Sequence, residues 1–194
     1  WELSAVVPIN RLRGRILGLV GFGNIAQGIV SKARAFGIKT IAADPYVSDE
    51  EFTKLDVERV DFDQLLERAD FISIHTPLTE ETKNLFGQSA FKKMKPEALL
   101  INTARGPLVD IDALAEALES NEIAGAALDV LPQEPPPDDC PLFGREDVIL
   151  TPHTGFYSAD ALLDLQTTVA TDVASVLNGK FPRFPVNPEV RRPK

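Results

Sequence analysis

The sequence predicts an α/β fold built on a doubly wound parallel sheet, and three observations carry that expectation. The first is the stretch Arg15 to Gly28, where the apolar run Ile16-Leu-Gly-Leu-Val20 gives way to Gly21-x-Gly23-x-x-Ala26 and then to a helical pattern. The second is the alternation of short apolar runs with helical segments along the rest of the chain, the mark of βαβ units. The third is placement: Asp44, His75, Thr103 to Arg105, Asp129 and His153 all fall at or just after the carboxyl ends of predicted strands. Ligands bind at that side of such a sheet.

The elements run in order. Residues 1–14 read as a lead-in broken by Pro8 and Gly14. A strand over 16–21 turns at the glycines into a helix over 24–36, with Ile25, Ile29, Ala33 and Phe36 at helical spacing and Gly37 as the stop. Gly21 permits the tight turn, Gly23 lets the backbone approach a pyrophosphate, and Ala26 lets the helix pack closely on the strand. The free N–H groups and the positive end of the helix then face the anion. A strand over 39–43 comes next, then a mixed acidic stretch over 46–59, read as a short helix or loop. A short strand over 60–63 and a helix over 64–69 come after it. A strand over 71–75 is stopped by Pro77, and a helix over 85–94 ends before Pro96. Residues 98–103 read as a buried strand, 112–118 as a helix capped near Asp110, 123–129 as a strand of small residues, and 148–151 as a last buried strand. A long helix over 158–178 carries Leu162, Leu165, Val169, Val173 and Val176 on one face and ends at Asn178-Gly179. The proline-rich stretch from Phe181 cannot be regular structure.

The totals narrow the classes. The chain has 194 residues, enough for one domain with a full core plus arms. A net charge of −9 and no long basic stretch argue against nucleic acid and anionic membranes as partners. No apolar run approaches the roughly 20 residues of a membrane span. The single Cys140 leaves no internal disulfide framework, and its acidic neighbours oppose a reactive thiolate, so it reads as a loop residue. A cytoplasmic protein is the simplest reading. The chain starts at Trp1, not Met, and reads as a piece of a longer protein.

The second strand gives the glycine turn its ligand. Asp44 ends that strand roughly 20 positions on, where a carboxylate bonds the adenosine ribose hydroxyls of a dinucleotide. A carboxylate there repels a 2′-phosphate and no Arg comes closely after it, which favours NAD over NADP. The alternative is a solvated turn residue before Pro45. His153 has an upstream carboxylate, Glu134, as its candidate partner in a general acid–base pair; the alternative is a loop histidine bonded to backbone. His75 has no acidic partner in sight and reads as a wall of the cofactor cleft. Arg105 sits among small residues after a buried strand and suits bidentate capture of a carboxylate. Asp129 faces the same cleft and is placed to bond a carboxamide. No Cys/His cluster has metal-ligand spacing, so no metal is expected.

These residues resemble the D-isomer-specific 2-hydroxyacid dehydrogenase family over nearly all of 11–188. The likeness lies in Gly14 to Ile25, His75-Thr-Pro-Leu-Thr-Glu-Glu-Thr-Lys83, Leu99 to Asp110, Gly125-Ala-Ala-Leu-Asp-Val130 and Thr151-Pro-His-Thr-Gly-Phe-Tyr-Ser158. The last of these and the Pro-Val-Asn-Pro tail look most like the branch holding phosphoglycerate dehydrogenase-like proteins and the C-terminal-binding-protein corepressors. The resemblance implies a Rossmann-type NAD-binding domain over 15–180. Residues 1–14 would lead in from a substrate domain absent from this chain, and 181–194 would return toward it. It implies Arg105, Glu134 and His153 as the catalytic set. It implies cofactor contacts from Gly21, Gly23, Asn24, Ile25, Asp44, His75, Thr76, Pro77, Thr82, Thr103, Ala104, Arg105, Asp129, His153 and Gly155. Ala26 stands where a third Gly is usual, which close packing tolerates.

By that likeness the chain is an NAD-dependent oxidoreductase acting on a small 2-oxo or 2-hydroxy acid, pairing as a homodimer through this domain. The rival is an NAD(H)-sensing scaffold of the corepressor type that binds a protein partner. A formate-type dehydrogenase is disfavoured, because that branch resembles a Gln in place of Glu134. Taken alone, these residues are expected to bind cofactor with Arg105 and His153 exposed, and to turn over little substrate.

Overall fold

The structure is a computed structural model describing Glu2, residues 9–187 and Glu189. Expectations that fall on Trp1, Pro8 and the end of the tail beyond Glu189 lie outside the described residues. Contacts divide the chain into two compact units, residues 1–153 and 154–194. The expected limit of the cofactor domain, at 180, does not coincide with that division.

The first unit holds one seven-stranded sheet. Its strands are β1 (Ile16–Val20), β2 (Lys39–Ala43), β3 (Glu58–Arg59), β4 (Phe71–Ile74), β5 (Leu99–Asn102), β6 (Gly125–Leu128) and β7 (Val148–Leu150). The order is β3-β2-β1-β4-β5-β6-β7 and every pairing is parallel. All carboxyl ends therefore lie on one side, and the order reverses between β1 and β4, where the ligand crevice of an open α/β sheet opens. This is the doubly wound architecture the sequence predicts. The helices are α1 (Asn24–Ala35), α2 (Asp49–Lys54), α3 (Phe62–Arg68), α4 (Gln88–Phe91) and α5 (Ile111–Glu119). One apolar cluster joins Leu17, Leu19, Phe22, Ala26, Val30 and Phe52, from β1, α1 and α2. A larger one joins Leu65, Ile72, Phe86, Phe91, Leu100 and Leu114, from the central strands and α3 to α5. Each of the Leu, Ile, Val and Phe side chains among these contributes, on full burial, about 1.5–3 kcal/mol of transfer free energy.

Several boundaries shift for identifiable reasons. The expected strand over 60–63 lies two residues earlier, at Glu58–Arg59, because Asp61 accepts a hydrogen bond from the Gln64 N–H at 2.8 Å and caps α3. The expected helix over 85–94 shrinks to four residues, because Phe86 is drawn into a bridge with Val109 and its N–H donates to the Leu108 carbonyl. A 3-10 turn, Gly106–Leu108, comes after β5 where no element was expected. The buried face of α1 is Ala26, Val30 and Ala33, one residue round from the expected set; Ile25 is 74 % exposed and Phe36 64 %. Ala26 must lie against the sheet, and that turns Ile25 outward. The strands β5 and β7 are covered on one face only, with Ile149 66 % exposed, so the expectation of fully buried strands fails there.

The second unit contains α6 (Ala159–Leu177), capped by the Ser158 hydroxyl accepting from the Ala161 N–H at 2.9 Å and followed by Gly179 at φ +77°. The ends match the sequence reading. The expected apolar face is present in sequence, but no residue of the helix is buried. Arg183 reaches back to Asp172 at 2.7 Å and lies over the Phe184 ring. Among the described residues no helix is long and apolar enough to cross a membrane.

At the amino end of the sheet Asp70 ties three segments together. It accepts from the Ile16 N–H at 2.7 Å, from Arg15 at 3.2 Å and from Lys95 at 3.1 Å, with its side chain 12 % exposed. Burial pushes its carboxyl upward, but the Ile16 N–H and the two cations overcome this and hold it below the ordinary value. A lowered carboxylate stabilises the fold above the usual carboxylate range, and that contribution is lost as pH falls through the folded-state value. Asp70→Asn is expected to cost about 2 kcal/mol at neutral pH, with the gap to the native chain closing as the pH is lowered toward 3. Urea unfolding across that range checks it, and a pH-independent gap would contradict the ion-pair account.

Candidate active site

The site is assembled from the carboxyl ends of β1, β2, β4, β5 and β6 and the segment after β7. At β1, Gly21 takes φ +88°, and a Cβ there would lie 2.7 Å from the His75 carbonyl carbon and 2.8 Å from the Thr76 nitrogen. Only glycine permits both that conformation and that approach. Gly23 caps α1, and a Cβ there would meet nothing within 4 Å. The first turn of α1 has no side-chain cap and no acidic residue. Open N–H groups at a positive helix end, fronted by a glycine with free space before it, fit a pyrophosphate. Asn24 and the outward-facing Ile25 begin the helix beside it.

Asp44 holds the next strand end to this turn. One carboxylate oxygen accepts from the Phe22 N–H at 2.8 Å; the other accepts from Tyr46 at 2.8 Å and Val47 at 3.3 Å. The carboxylate is therefore part of the turn's framework as well as a candidate ribose ligand. A cavity of about 690 Å³ opens here, lined by Gly21, Asp44, Thr76, Pro77 and Thr82 among others. Thr82 donates to the Pro77 carbonyl at 2.7 Å, so its hydroxyl shapes the loop. His75 is half-buried; Ser73 Oγ lies 2.9 Å from its Nε2, and burial lowers its pKa, favouring the neutral ring.

The end of β5 is fixed by Asn102, which is fully buried. Its side chain accepts from the Ala104 N–H at 3.0 Å and donates to the Arg105 carbonyl at 2.9 Å, locking the Thr103–Arg105 loop. Thr103 and Arg105 are exposed, and the Arg105 guanidinium donates to the Ala104 carbonyl at 2.6 Å. A Cβ on Gly106 would fall 2.0 Å from the Leu131 carbonyl carbon. This close approach brings the arginine loop against the segment that carries Glu134.

Asp129, buried at the end of β6, accepts from the Thr151 hydroxyl at 2.6 Å. Its carbonyl takes the His153 N–H at 2.8 Å. His153 itself sits at φ +53°, uncommon for a residue with a side chain. Glu134 accepts from the Leu131 N–H at 3.0 Å with one oxygen and stands 2.7 Å from His153 Nδ1 with the other. The His153 contact, then the Leu131 N–H, holds the Glu134 carboxyl below its ordinary value. A charged Glu134 at Nδ1 favours the tautomer in which that nitrogen carries the N–H. Both side chains are exposed and line a cavity of about 430 Å³. Gly155 belongs to the second unit. Cys140 lies in a loop, as expected, but its side chain is buried in the larger apolar cluster. Among the described residues no group of His, Cys, Asp or Glu is arranged to hold a metal ion.

Sequence reasoning missed the supports: Ser73, Asn102 and Thr151, whose roles rest on contacts across strands, and Arg59. The Arg59 guanidinium bonds the Asp44 carbonyl at 3.1 Å and lines the same cavity as the Asp44 side chain. Its lone position on an edge strand, 15 residues past Asp44, gave no sequence signal.

Fold and site together define a dinucleotide-binding domain in which a carboxylate and an imidazole meet at the carboxyl end of the sheet. The D-isomer specific 2-hydroxyacid dehydrogenase, NAD binding domain, family model matches residues 1–155, and the chain belongs to that family. NAD is the cofactor that membership carries. The chain is 39 % identical over 194 residues to D-3-phosphoglycerate dehydrogenase 2, chloroplastic, of Arabidopsis thaliana, covering 100 % of this chain and 31 % of that protein. It is 41 % identical over 179 residues to glyoxylate reductase of Thermococcus litoralis, covering 92 % of this chain and 54 % of that protein. It superposes on D-lactate dehydrogenase with NAD+ from Lactobacillus jensenii with a TM-score of 0.85 at 34 % identity, covering 95 % of this chain and 58 % of that one. The chain thus spans 31 % to 58 % of the length of these relatives. Nothing in these relatives supports the redox-sensing scaffold.

The Gly106 approach is testable. Gly106→Ala forces a backbone shift against Leu131-Pro132 and is expected to cost about 1–3 kcal/mol, in the range of overpacking. Thermal unfolding checks this; stability equal to the native chain would show that the two loops are not in contact.

Proposed function

We propose that this chain supplies the cofactor half of an NAD-dependent D-2-hydroxyacid dehydrogenase, which interconverts a small 2-oxo acid and its 2-hydroxy acid. The observation that supports this best is the Glu134–His153 pair, 2.7 Å apart at the carboxyl end of a parallel sheet that belongs to an NAD-binding family. NAD(H), when bound, gives or takes up the hydride. Arg105 captures the substrate carboxylate and polarises the adjacent carbonyl. His153 delivers a proton from Nε2 to the substrate oxygen in reduction and removes it in oxidation. Glu134 fixes the orientation and tautomer of the ring. On this reading the turn from Gly21 to Ile25 takes the pyrophosphate and Asp44 the ribose. His75, Thr76, Pro77 and Thr82 wall the cleft, while Thr103, Ala104 and Asp129 border the nicotinamide side. The names of the relatives, glyoxylate reductase and phosphoglycerate dehydrogenase, favour a small 2-oxo acid. The domain limits of 15–180, with arms at 1–14 and 181–194, belong to the same proposal, as does a cytoplasmic setting.

In the whole enzyme, His153→Ala and Arg105→Ala are each expected to lower kcat/KM by at least about a hundredfold. Glu134→Gln is expected to hurt less, since an amide oxygen can still accept from Nδ1 and hold the ring in place. Steady-state kinetics across pH with NADH and a panel of 2-oxo acids reads both. A larger kcat loss in His75→Ala than in His153→Ala would reassign the acid.

The cofactor and assembly readings are checked on one sample. The 194 residues are expected to bind NADH by calorimetry, and to sediment as a dimer at tens of micromolar, with two-fold pairing through this domain. No binding at millimolar NADH would reduce the glycine stretch to a structural turn; monomers alone would remove the dimer.

A further inference from the structure

We propose that Arg59 is a second determinant of cofactor choice, offsetting in part the repulsion that Asp44 exerts on an adenosine 2′-phosphate, with Asp49 setting the size of that offset. This rests on the reading of the 690 Å³ cavity as the adenosine side of an NAD cleft. Sequence reasoning took Asp44 as the sole discriminator, because no Arg comes closely after it. The fold supplies one from β3. Arg59 donates to the carbonyl of Asp44 itself at 3.1 Å, so the cation is anchored on the same residue that carries the discriminating carboxylate. Both line one cavity.

Three contacts orient the guanidinium. One nitrogen donates to the Asp44 carbonyl, another pairs with Asp49, and its central carbon lies 5.3 Å from the centre of the Phe52 ring. Phe52 is buried and stacks on Phe22, the middle residue of the glycine turn, at 4.6 Å. The position of the cation is therefore tied to the turn that receives the pyrophosphate. A planar guanidinium beside a diol site is matched to a phosphate and indifferent to hydroxyls. Its present partner holds it loosely: the Asp49 side chain is 84 % exposed and that of Arg59 37 %. An exposed pair of this kind is weak enough to be exchanged for an incoming phosphate.

The resulting cleft prefers a free 2′-hydroxyl, through Asp44, by a margin that Arg59 narrows. Asp49 acts only through Arg59 and is a positioning residue. The experiment is a titration of NADH and NADPH against the native chain, Arg59→Gln, Arg59→Lys, Asp49→Asn and the double variant Asp49→Asn/Arg59→Gln, at low and at physiological salt. Arg59→Gln is expected to weaken NADPH by about fivefold while moving NADH less than about twofold, as befits one partly screened charge. Arg59→Lys, which keeps the charge but loses the planar fork, is expected to give a ratio between those of the native chain and Arg59→Gln. Asp49→Asn strengthens NADPH by about threefold. The double variant shows the Arg59→Gln ratio, and all these shifts shrink as salt is raised. An unchanged NADPH:NADH ratio in Arg59→Gln, equal weakening of both nucleotides, or an Asp49→Asn effect that survives without Arg59 overturns the proposal. Failure of the native chain to bind NADH overturns the cofactor-cleft reading first, and this proposal with it; retained NADH binding with an unmoved ratio overturns only the role of Arg59.

Discussion

The structure depends most on a steric constraint, the approach of Gly21 to the backbone of His75 and Thr76. β1 and β4 are neighbours at the point where strand order reverses. The chain leaving β1 must turn toward α1 in the space that the chain leaving β4 also occupies. With 2.7 Å between a would-be Cβ and the His75 carbonyl carbon, no side chain fits. The same contact sets where His75 and Thr76 stand and how the Asp44 carboxylate meets the Phe22 N–H. A second approach of the same kind, Gly106 against Leu131, brings the arginine loop to the Glu134 segment. The crevice is thus drawn together by backbone packing, and the polar groups are fixed to backbone that is itself fixed.

Polar side chains then hold each strand end in register. Asn102 binds its own loop twice, Asp129 takes the Thr151 hydroxyl, and Glu134 folds back on the Leu131 N–H before meeting His153. Every one of these spends part of its hydrogen-bonding capacity on backbone or on a neighbouring element. That is why His153 can be held in a left-handed conformation: its N–H is committed to the Asp129 carbonyl and its ring to Glu134. The strain of such a residue persists where the surroundings over-determine it, and such places are characteristically functional.

The alternation of strands and helices, the glycine turn and the run of polar residues at strand ends were legible because each is written locally, as a turn residue or a short apolar run. The Glu134–His153 pair was legible as a pair of residue types, and the geometry supplied the 2.7 Å. The illegible parts mostly depend on distant chain. Phe86 left a helical pattern for a bridge to Val109, whereas Asp61 displaced the expected strand through a local cap, to the Gln64 N–H three residues on. Periodicity places the apolar residues of α6 on one face but does not say whether anything covers them, and in this structure none is buried. Arg59 escaped for the same reason: it reaches Asp44 across β2 and β3, not along the sequence.

A chain of net charge −9 that belongs to a family binding a dianionic cofactor calls for a local answer. It lies in how the helix starts differ. α2 begins with Asp49, Glu50 and Glu51, α3 carries Asp63 in its first turn, and α5 carries Asp112. Each of these places negative charge on its own positive end, and α3 and α5 add a side-chain cap from Asp61 and Asp110. α1 has neither: its cap is Gly23, its first turn holds no acid, and its last turn holds Lys32 and Arg34. The helix facing the glycine turn is therefore complemented at its carboxyl end and left uncompensated at its amino end. An anion is accepted there by peptide N–H groups rather than by basic side chains, so the overall acidity of the chain, screened beyond about 10 Å, does not decide the matter. The same logic explains why acidic residues can line the rest of the crevice. On the proposed reading they would meet the hydroxyl and amide parts of a dinucleotide, while its phosphates would meet a helix end from which carboxylates have been left out.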